Sequence, residues 1–432
     1  MPSGIIESLD HEGRGIARQD GKAIFVESAL PGECVDYASF RKKPNYELAQ
    51  LVRVLQPSPH RVTPPCPHFG ICGGCALQHL SSSAQVAVKQ RLLEDALWHI
   101  GRVRPEQILP PVSGQPWAYR QRARFGVRNI PGKGGVLIGF HERRSSYIAD
   151  IRSCAILPDH VSALLMPLRE LLAQLSLLDR LPQIEVAVGE QSTALVLRIL
   201  QSLTAKDEQL LRDFADRHQV VFYLQPKGPD TARLFYPATA PDLFYTLPEF
   251  GLDMAFRPTD FTQVNHAVNR VLVRKTLQLL DPQPGERIAD MFCGLGNFTL
   301  PIARLGALVH GVEGSPALVG RGRETARRTG LGDLASFSVA NLFLADEKKL
   351  AALGPFDKML IDPPREGAIE LVKALGSQGP RRVVYVSCNP ATLARDAAAM
   401  VAVNGYRFRA AGVLNMFPHT AHVESIALFE RP

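Results

Sequence analysis

From about residue 256 to the end, apolar strand-like runs alternate with amphipathic helical stretches, and this repetition constrains the fold more than any other feature of the chain. A helix is expected from Val264 to Leu280, ended by Asp281-Pro282. RIADMF then leads into a turn at Gly294–Gly296, followed by a helix over 298–305, the strand ALVHGVE and a helix in SPALVGRGRETARR. The strands ASFSVA, PFDKMLID and RRVVYVSC come next, the last two each trailed by a helical segment, and VESIALFE closes the series. Such alternation predicts a parallel sheet covered on both faces, because each crossover between parallel strands needs a helix. The expected fold class is α/β, with a doubly wound, Rossmann-like domain over 256–432.

The rest of the chain reads differently. Residues 1–57 carry short β-branched and aromatic runs between Gly, Pro and Asp, the pattern of a small OB-like β-barrel. A proline-rich linker, QPSPHRVTPP, separates it from a central α+β region, 58–255. There Ser81–Ser83 offer helix caps, Val86, Leu93, Leu97 and Ile100 repeat at helical spacing, and Gly101 ends the helix. This helix, 81–101, is placed against the C-terminal domain. Helical spacing recurs at 159–176 and 203–218.

The net charge of +7 is modest for 432 residues, so its distribution matters more than its size. Between Arg120 and Arg152 stand eight basic residues (Arg120, Arg122, Arg124, Arg128, Lys133, Arg143, Arg144, Arg152), opposed only by Glu142 and Asp150. Tyr119, Phe125, Phe140 and Tyr147 are interleaved. That mixture suits phosphate contacts and base stacking, although a solvated strand face looks similar. No apolar run has the length of a membrane span or signal peptide, so a cytoplasmic protein is expected.

The C-terminal strands end in polar residues. Asp290, Gly294 and Gly296 follow the first strand, Glu313 the second, Asn341 the third and Asp362 the fourth. Ligands bind at this carboxyl edge in open α/β sheets, and an acid after the second strand suits ribose hydroxyls. An adenosine cofactor is expected. No G-x-G-x-x-G follows this strand, which ranks adenosylmethionine above NAD. Cys388 ends an apolar strand just before Asn389-Pro390 starts a helix, a place where a thiolate is favoured. A thiolate that adds to carbon 6 of uracil makes carbon 5 nucleophilic, and a base must then take the carbon-5 proton. Glu424, at the start of the last strand, is the expected base. Arg365, after Asp362-Pro363-Pro364, suits a phosphate or a uracil oxygen.

DPPREG (362–367), SCNPATLARD (387–396), HVE (422–424) and FTQVN (261–265) together resemble the RNA uracil-5 methyltransferase family over nearly the whole chain. The N-terminal barrel and the cysteines resemble its bacterial branch that acts on 23S rRNA and carries a TRAM domain and a [4Fe-4S] cluster. The resemblance implies Cys388 as nucleophile and Glu424 as proton acceptor. It implies cofactor contacts from Gln263, Phe292, Asn297, Glu313, Asn341 and Asp362, with Asn341 standing where an acid is usual.

Of seven cysteines, Cys66, Cys72 and Cys75 form C-x5-C-x2-C. A fourth thiolate is needed to close a tetrahedral or cubane site, and Cys154, after the basic region, is the best candidate. Cys34 falls in the barrel, and Cys293 in the glycine turn reads as inert. Spacing alone leaves zinc and iron–sulfur open, with a Cys72–Cys75 redox pair weaker; the resemblance implies [4Fe-4S]. The competing functions are the same chemistry on tRNA or another 23S site, and a non-catalytic RNA-binding protein on this fold. A nucleobase deaminase is set aside, since it needs H-x-E followed by P-C-x-x-C and no P-C-x-x-C occurs. A monomer with no obligate protein partner is expected.

Overall fold

The computed structural model describes residues 2–133, 135–376 and 379–431, with the side chain of Lys133 also outside the described part. Six strands between Ser3 and Gln56 form one sheet that wraps around Ile6, Ile24, Val26, Val35 and Tyr37. Alternating burial along Lys22–Glu27 puts every second side chain inside, and register shifts along Cys34–Lys42 bend the sheet on itself.

A second sheet has six strands, drawn from Arg122–Ile130, Gly135–Gly139, Gln183–Val188, Thr193–Arg198, Val221–Gln225 and Arg233–Tyr236. Helices Leu165–Gln174 and Ala205–His218 bury Leu168, Leu172, Leu211 and Phe214 in its core. The cysteine-bearing segment between barrel and sheet has no helix or strand. Backbone bonds hold it: Gly73 N donates to His141 O (2.8 Å) and Arg143 N to Ile71 O (2.8 Å).

Helix α1 (Ser82–Ala96) follows. Val86, Leu93 and Leu97 are buried as the spacing predicts, but Ile100 is 54% exposed. The last turn, Leu97–Gly101, widens to a π-helix and rotates Ile100 off the apolar stripe. Gly101 has a packing reason as well, since a Cβ there would strike the Ala394 carbonyl.

The third sheet has eight strands: β1 (Gln107–Ile108), β2 (Arg287–Met291), β3 (Leu308–Glu313), β4 (Ala335–Val339), β5 (Lys358–Ile361), β6 (Arg382–Ser387), β7 (Arg407–Leu414) and β8 (Glu424–Glu430), in the order β4-β3-β2-β5-β6-β8-β7-β1. β2 to β6 are parallel. The sheet is not wholly parallel, however: β8 runs antiparallel to both β6 and β7. The reason is the connection, because loop 415–423 joins β7 to β8 as a hairpin with no crossover helix. Along β5, Met359 and Ile361 enter one core and Leu360 the other, so the sheet is buried on both faces. Helices α2 (His266–Leu280), α3 (Pro316–Arg328) and α4 (Pro390–Ala402) are N-capped by Asn265, Ser315 and Asn389. α2 thus begins two residues later than its apolar run suggests. Leu93 and Leu97 join one core of this sheet, and the hairpin Leu243–Leu247/Leu252–Phe256 joins the other. Among the described residues no helix is long and apolar enough to cross a membrane.

Candidate active site

At the carboxyl edge the chain leaves β2 through Phe292, Gly294 and Gly296, all at positive φ (64°, 57° and 96°). Phe292 holds this left-handed conformation without glycine's freedom, a local strain that turns the chain under the cavity. Glu313, ending β3, accepts from Gly294 N (3.1 Å) and Ser315 N (2.9 Å). Its carboxylate is therefore fixed at the edge. Asn341 accepts from Phe343 N (3.0 Å) and starts a short turn after β4. Asn297 Oδ1 accepts from Tyr245 Oη (2.8 Å) and Asn269 Nδ2 (2.9 Å), and Asn297 Nδ2 donates to Asn269 Oδ1 (3.0 Å). Sequence reasoning missed Tyr245 and Asn269. The one signal for Asn269 is an amide on the buried face of α2.

Asp290 is fully buried; Thr299 Oγ1 donates to its Oδ2 at 2.6 Å, while Oδ1 has no partner. Burial lifts its carboxyl to about 7 against that hydrogen bond, with the Asp362 and Glu313 charges adding. Asp362 opens onto the cavity but is closely surrounded by protein, and desolvation lifts it to about 7 too. Glu424, 2% exposed, is pushed well above the usual carboxylate range by burial and by Asp362. Asp362 and Glu424, two desolvated carboxyls that line the same cavity, suit a cationic ligand.

Cys388 emerges between β6 and α4. The expected thiolate-favouring environment is not what surrounds it. Burial, then the Glu424 and Asp362 charges, push the thiol up to about 11, with Arg365 opposing them. The half-charge of a helix N-terminus is outweighed by desolvation and two carboxyls. Gln263, Phe292, Asn297, Glu313, Asn341, Asp362, Cys388 and Glu424 all line one cavity of about 770 Å³. Phe261, Phe417 and His422 complete its wall, and none was assigned a role by sequence. Exposed Arg365 places Nη2 3.4 Å from the His422 ring nitrogens, at the cavity wall.

Cys66, Cys72, Cys75 and Cys154 gather around a second, small cavity with Phe140 and Ile151. Burial pushes Cys75 up to about 11 and Cys154 to about 12, and the thiols also raise one another. All are free, and among the described residues no three His, Cys, Asp or Glu converge closely enough for a single metal ion. Cys34 lies apart in the barrel sheet, and Cys293 is buried in the glycine turn, as expected.

The basic stretch is less of a free surface than its sequence suggests. Arg122 donates to Pro258 O (2.7 Å), Arg124 pairs with Glu185 (2.9 Å) and Arg144 with Glu27 (2.8 Å). Tyr119 and Phe125 are core residues, whereas Tyr147 is 67% exposed. Arg128 and Arg152 remain exposed; the side chain of Lys133 lies outside the described part.

The sheet order and its polar edge define a methyltransferase fold. Residues 349–432 match a family described as tRNA (Uracil-5-)-methyltransferase, and residues 5–52 a TRAM domain. A 23S rRNA (uracil(1939)-C(5))-methyltransferase of Dechloromonas aromatica is 71% identical over all of both chains. One of Azoarcus sp. (strain BH72), bearing the same name, is 63% identical, again over the full length of both. The crystal structure of Pyrococcus abyssi tRNA (uracil-54, C5)-methyltransferase with S-adenosyl-L-homocysteine shares the fold at 23% identity, with a TM-score of 0.75 over 99% of this chain and 100% of that one. The chain belongs to the family of 23S rRNA (uracil-C5)-methyltransferases.

Proposed function

We propose that the chain methylates carbon 5 of a uridine in 23S rRNA, with Cys388 as nucleophile and Glu424 as base. One observation carries the reading: Cys388, Glu424 and Asp362 meet at one cavity whose other edge presents Glu313 and Asn297. S-adenosylmethionine supplies an electrophilic methyl group, and Gln263, Phe292, Asn297, Glu313, Asn341 and Asp362 would hold it. The raised carboxyls of Asp362 and Glu424, both on the cavity wall, fit a cation there.

The Cys388 thiol first yields its proton to a neighbouring carboxylate; Asp362, at about 7, is matched to accept it near neutral pH. The sulfur then adds to carbon 6, and the electron pair of the carbon 5–carbon 6 double bond becomes available at carbon 5. Carbon 5 takes the methyl, whose bonding pair would remain with the cofactor's own sulfur while Cys388 stays bonded to carbon 6. Glu424 removes the carbon-5 proton, the double bond re-forms, and the Cys388 thiolate leaves.

The four gathered cysteines fit a [4Fe-4S] cluster held by Cys66, Cys72, Cys75 and Cys154, which would supply a rigid structural node beneath an RNA-facing surface. The barrel (1–57), the cluster-bearing central domain (58–255) and the catalytic domain (256–432) then share the work in a cytoplasmic monomer. The deciding experiment is methylation of 23S rRNA fragments and of tRNA by the wild-type chain and Cys388→Ala. Activity on tRNA alone would overturn the substrate, and turnover by the variant would overturn the nucleophile. Zinc without iron in anaerobically purified protein would remove the cluster.

A further inference from the structure

Loop 415–423, the hairpin connection between β7 and β8, supplies Phe417 and His422 to the cavity wall and ends at Glu424. Its polar groups are taken largely by residues from outside the catalytic domain. Lys89 Nζ, from α1, donates to Asn415 Oδ1 (2.7 Å) and Phe417 O (2.8 Å). Gln85, one turn earlier, donates to His419 Nδ1 (3.1 Å) and accepts from His419 N (2.8 Å). Ala76 N and Leu77 N, directly after Cys75, both donate to His419 O (2.8 and 2.9 Å). Tyr119 Oη donates to Pro418 O (2.9 Å), and Trp117 stacks on the His419 ring at 3.8 Å. His419 itself sits at φ 66°, a left-handed conformation that a non-glycine residue holds only when its surroundings over-determine it.

Lys89 is the telling residue. It is 1% exposed. Burial lowers its ammonium to about 7, and no carboxylate contributes to that shift. A buried amine is expensive, and a methionine of similar length would fill the same space without that penalty. What lysine adds is two aimed donors, and both end on the loop.

We propose that loop 415–423 is a strut: the cysteine-bearing segment and α1 fix it, and it fixes the Phe417–His422 wall over Cys388 and Glu424. Gln85 and Lys89 are then positioning residues for methyl transfer. The cysteine segment, through Ala76 and Leu77, is mechanically joined to the reacting pair as well as to RNA. This rests on the reading of Cys388 and Glu424 as that pair.

The test uses the full-length chain with Lys89→Met and, separately, Gln85→Met. Amide hydrogen exchange over 415–423 is expected to accelerate in both variants. kcat on 23S rRNA fragments is expected to fall roughly 10- to 100-fold, the penalty of a misplaced catalytic wall. KM for RNA should stay within about twofold, since binding is not what the strut controls. The melting temperature of Lys89→Met should change little, because relief of the buried ammonium offsets the acceptors left unpaired at Asn415 and Phe417. Unchanged kcat in both variants overturns the proposal, as does a fall in kcat that follows lost melting temperature in both. Turnover by Cys388→Ala would instead sink the reading of the reacting pair and leave the exchange result standing.

Discussion

Glu424 faces the same cavity as Cys388, and after burial its charge is the next largest influence that raises the Cys388 thiol. In a shared desolvated pocket, neither is ready on its own: the thiol must lose a proton that the carboxylate environment holds on, and the carboxyl must be ionised before it can accept one. A bound sulfonium changes both at once, because a cation there favours the thiolate and the carboxylates together.

Glu424→Gln separates the two halves of the chemistry. The amide leaves addition and methyl transfer possible but cannot take the carbon-5 proton. Turnover is expected to fall by about 10²- to 10⁴-fold, the usual worth of a positioned base. A methylated RNA–protein adduct, stable to denaturing electrophoresis, should accumulate. Absence of the adduct together with lost turnover would place Glu424 ahead of proton removal instead.

The pH dependence of ligand binding follows from Asp362, which lines the cavity and is lifted to about 7. A cation binds best when it is ionised. As pH falls through 7 it takes up a proton, and affinity for S-adenosylmethionine should drop. Neutral S-adenosylhomocysteine should lose much less. Calorimetric titration of both ligands at pH 6 and 8 checks this, and parallel pH profiles would count against it.

Asp290 also carries a stability consequence. Its carboxyl titrates at about 7 in the fold, against an ordinary value of 3.8. The fold therefore favours the protonated form: the contribution of Asp290 to stability is most favourable below about pH 4, declines as pH rises from about 4 to 7, and is level above that. Asp290→Asn keeps an acceptor for Thr299 and abolishes the ionisation. It should stabilise the ligand-free chain by roughly 2–4 kcal/mol at pH 8 and by little at pH 4. Denaturant melts at the two pH values read this effect directly.

What sequence reveals here divides along contact range. β2 to β6 are apolar runs bounded by turns, so the residues at their ends, Asp290, Glu313, Asp362 and Cys388, could be placed on one edge. β7 opens with Arg407 and Arg409 and looks like a surface stretch. It is a strand because β8 folds back on it. β1 is two residues long and exists only through pairing with Ala410 and Ala411. The elevated Cys388 thiol was illegible for the same reason: the helix start beside it is local, while the opposing carboxyls arrive from positions 362 and 424. Tyr119 and Phe125 looked like stacking residues because an aromatic in a basic stretch gives no sign of which face it occupies.

Tyr245 is the sharpest case of a residue whose part is invisible before folding. It comes from a hairpin 52 residues before Asn297 and donates to that amide oxygen from a fully desolvated site. The bond keeps Asn297 Oδ1 occupied, which orients the amide together with Asn269. Tyr245→Phe removes one hydroxyl and leaves the ring packing intact. The loss of one buried hydrogen bond, about 1 kcal/mol, corresponds to roughly a fivefold weaker hold on the cofactor. KM for S-adenosylmethionine should rise by that factor, whereas RNA affinity and the yield of Cys388 adduct at saturating cofactor should not move. Asn269→Ala should do more, because it leaves both Asn297 Nδ2 and part of Oδ1 without partners. If Tyr245→Phe raised KM for RNA instead, Asn297 would belong to the nucleotide side of the cavity.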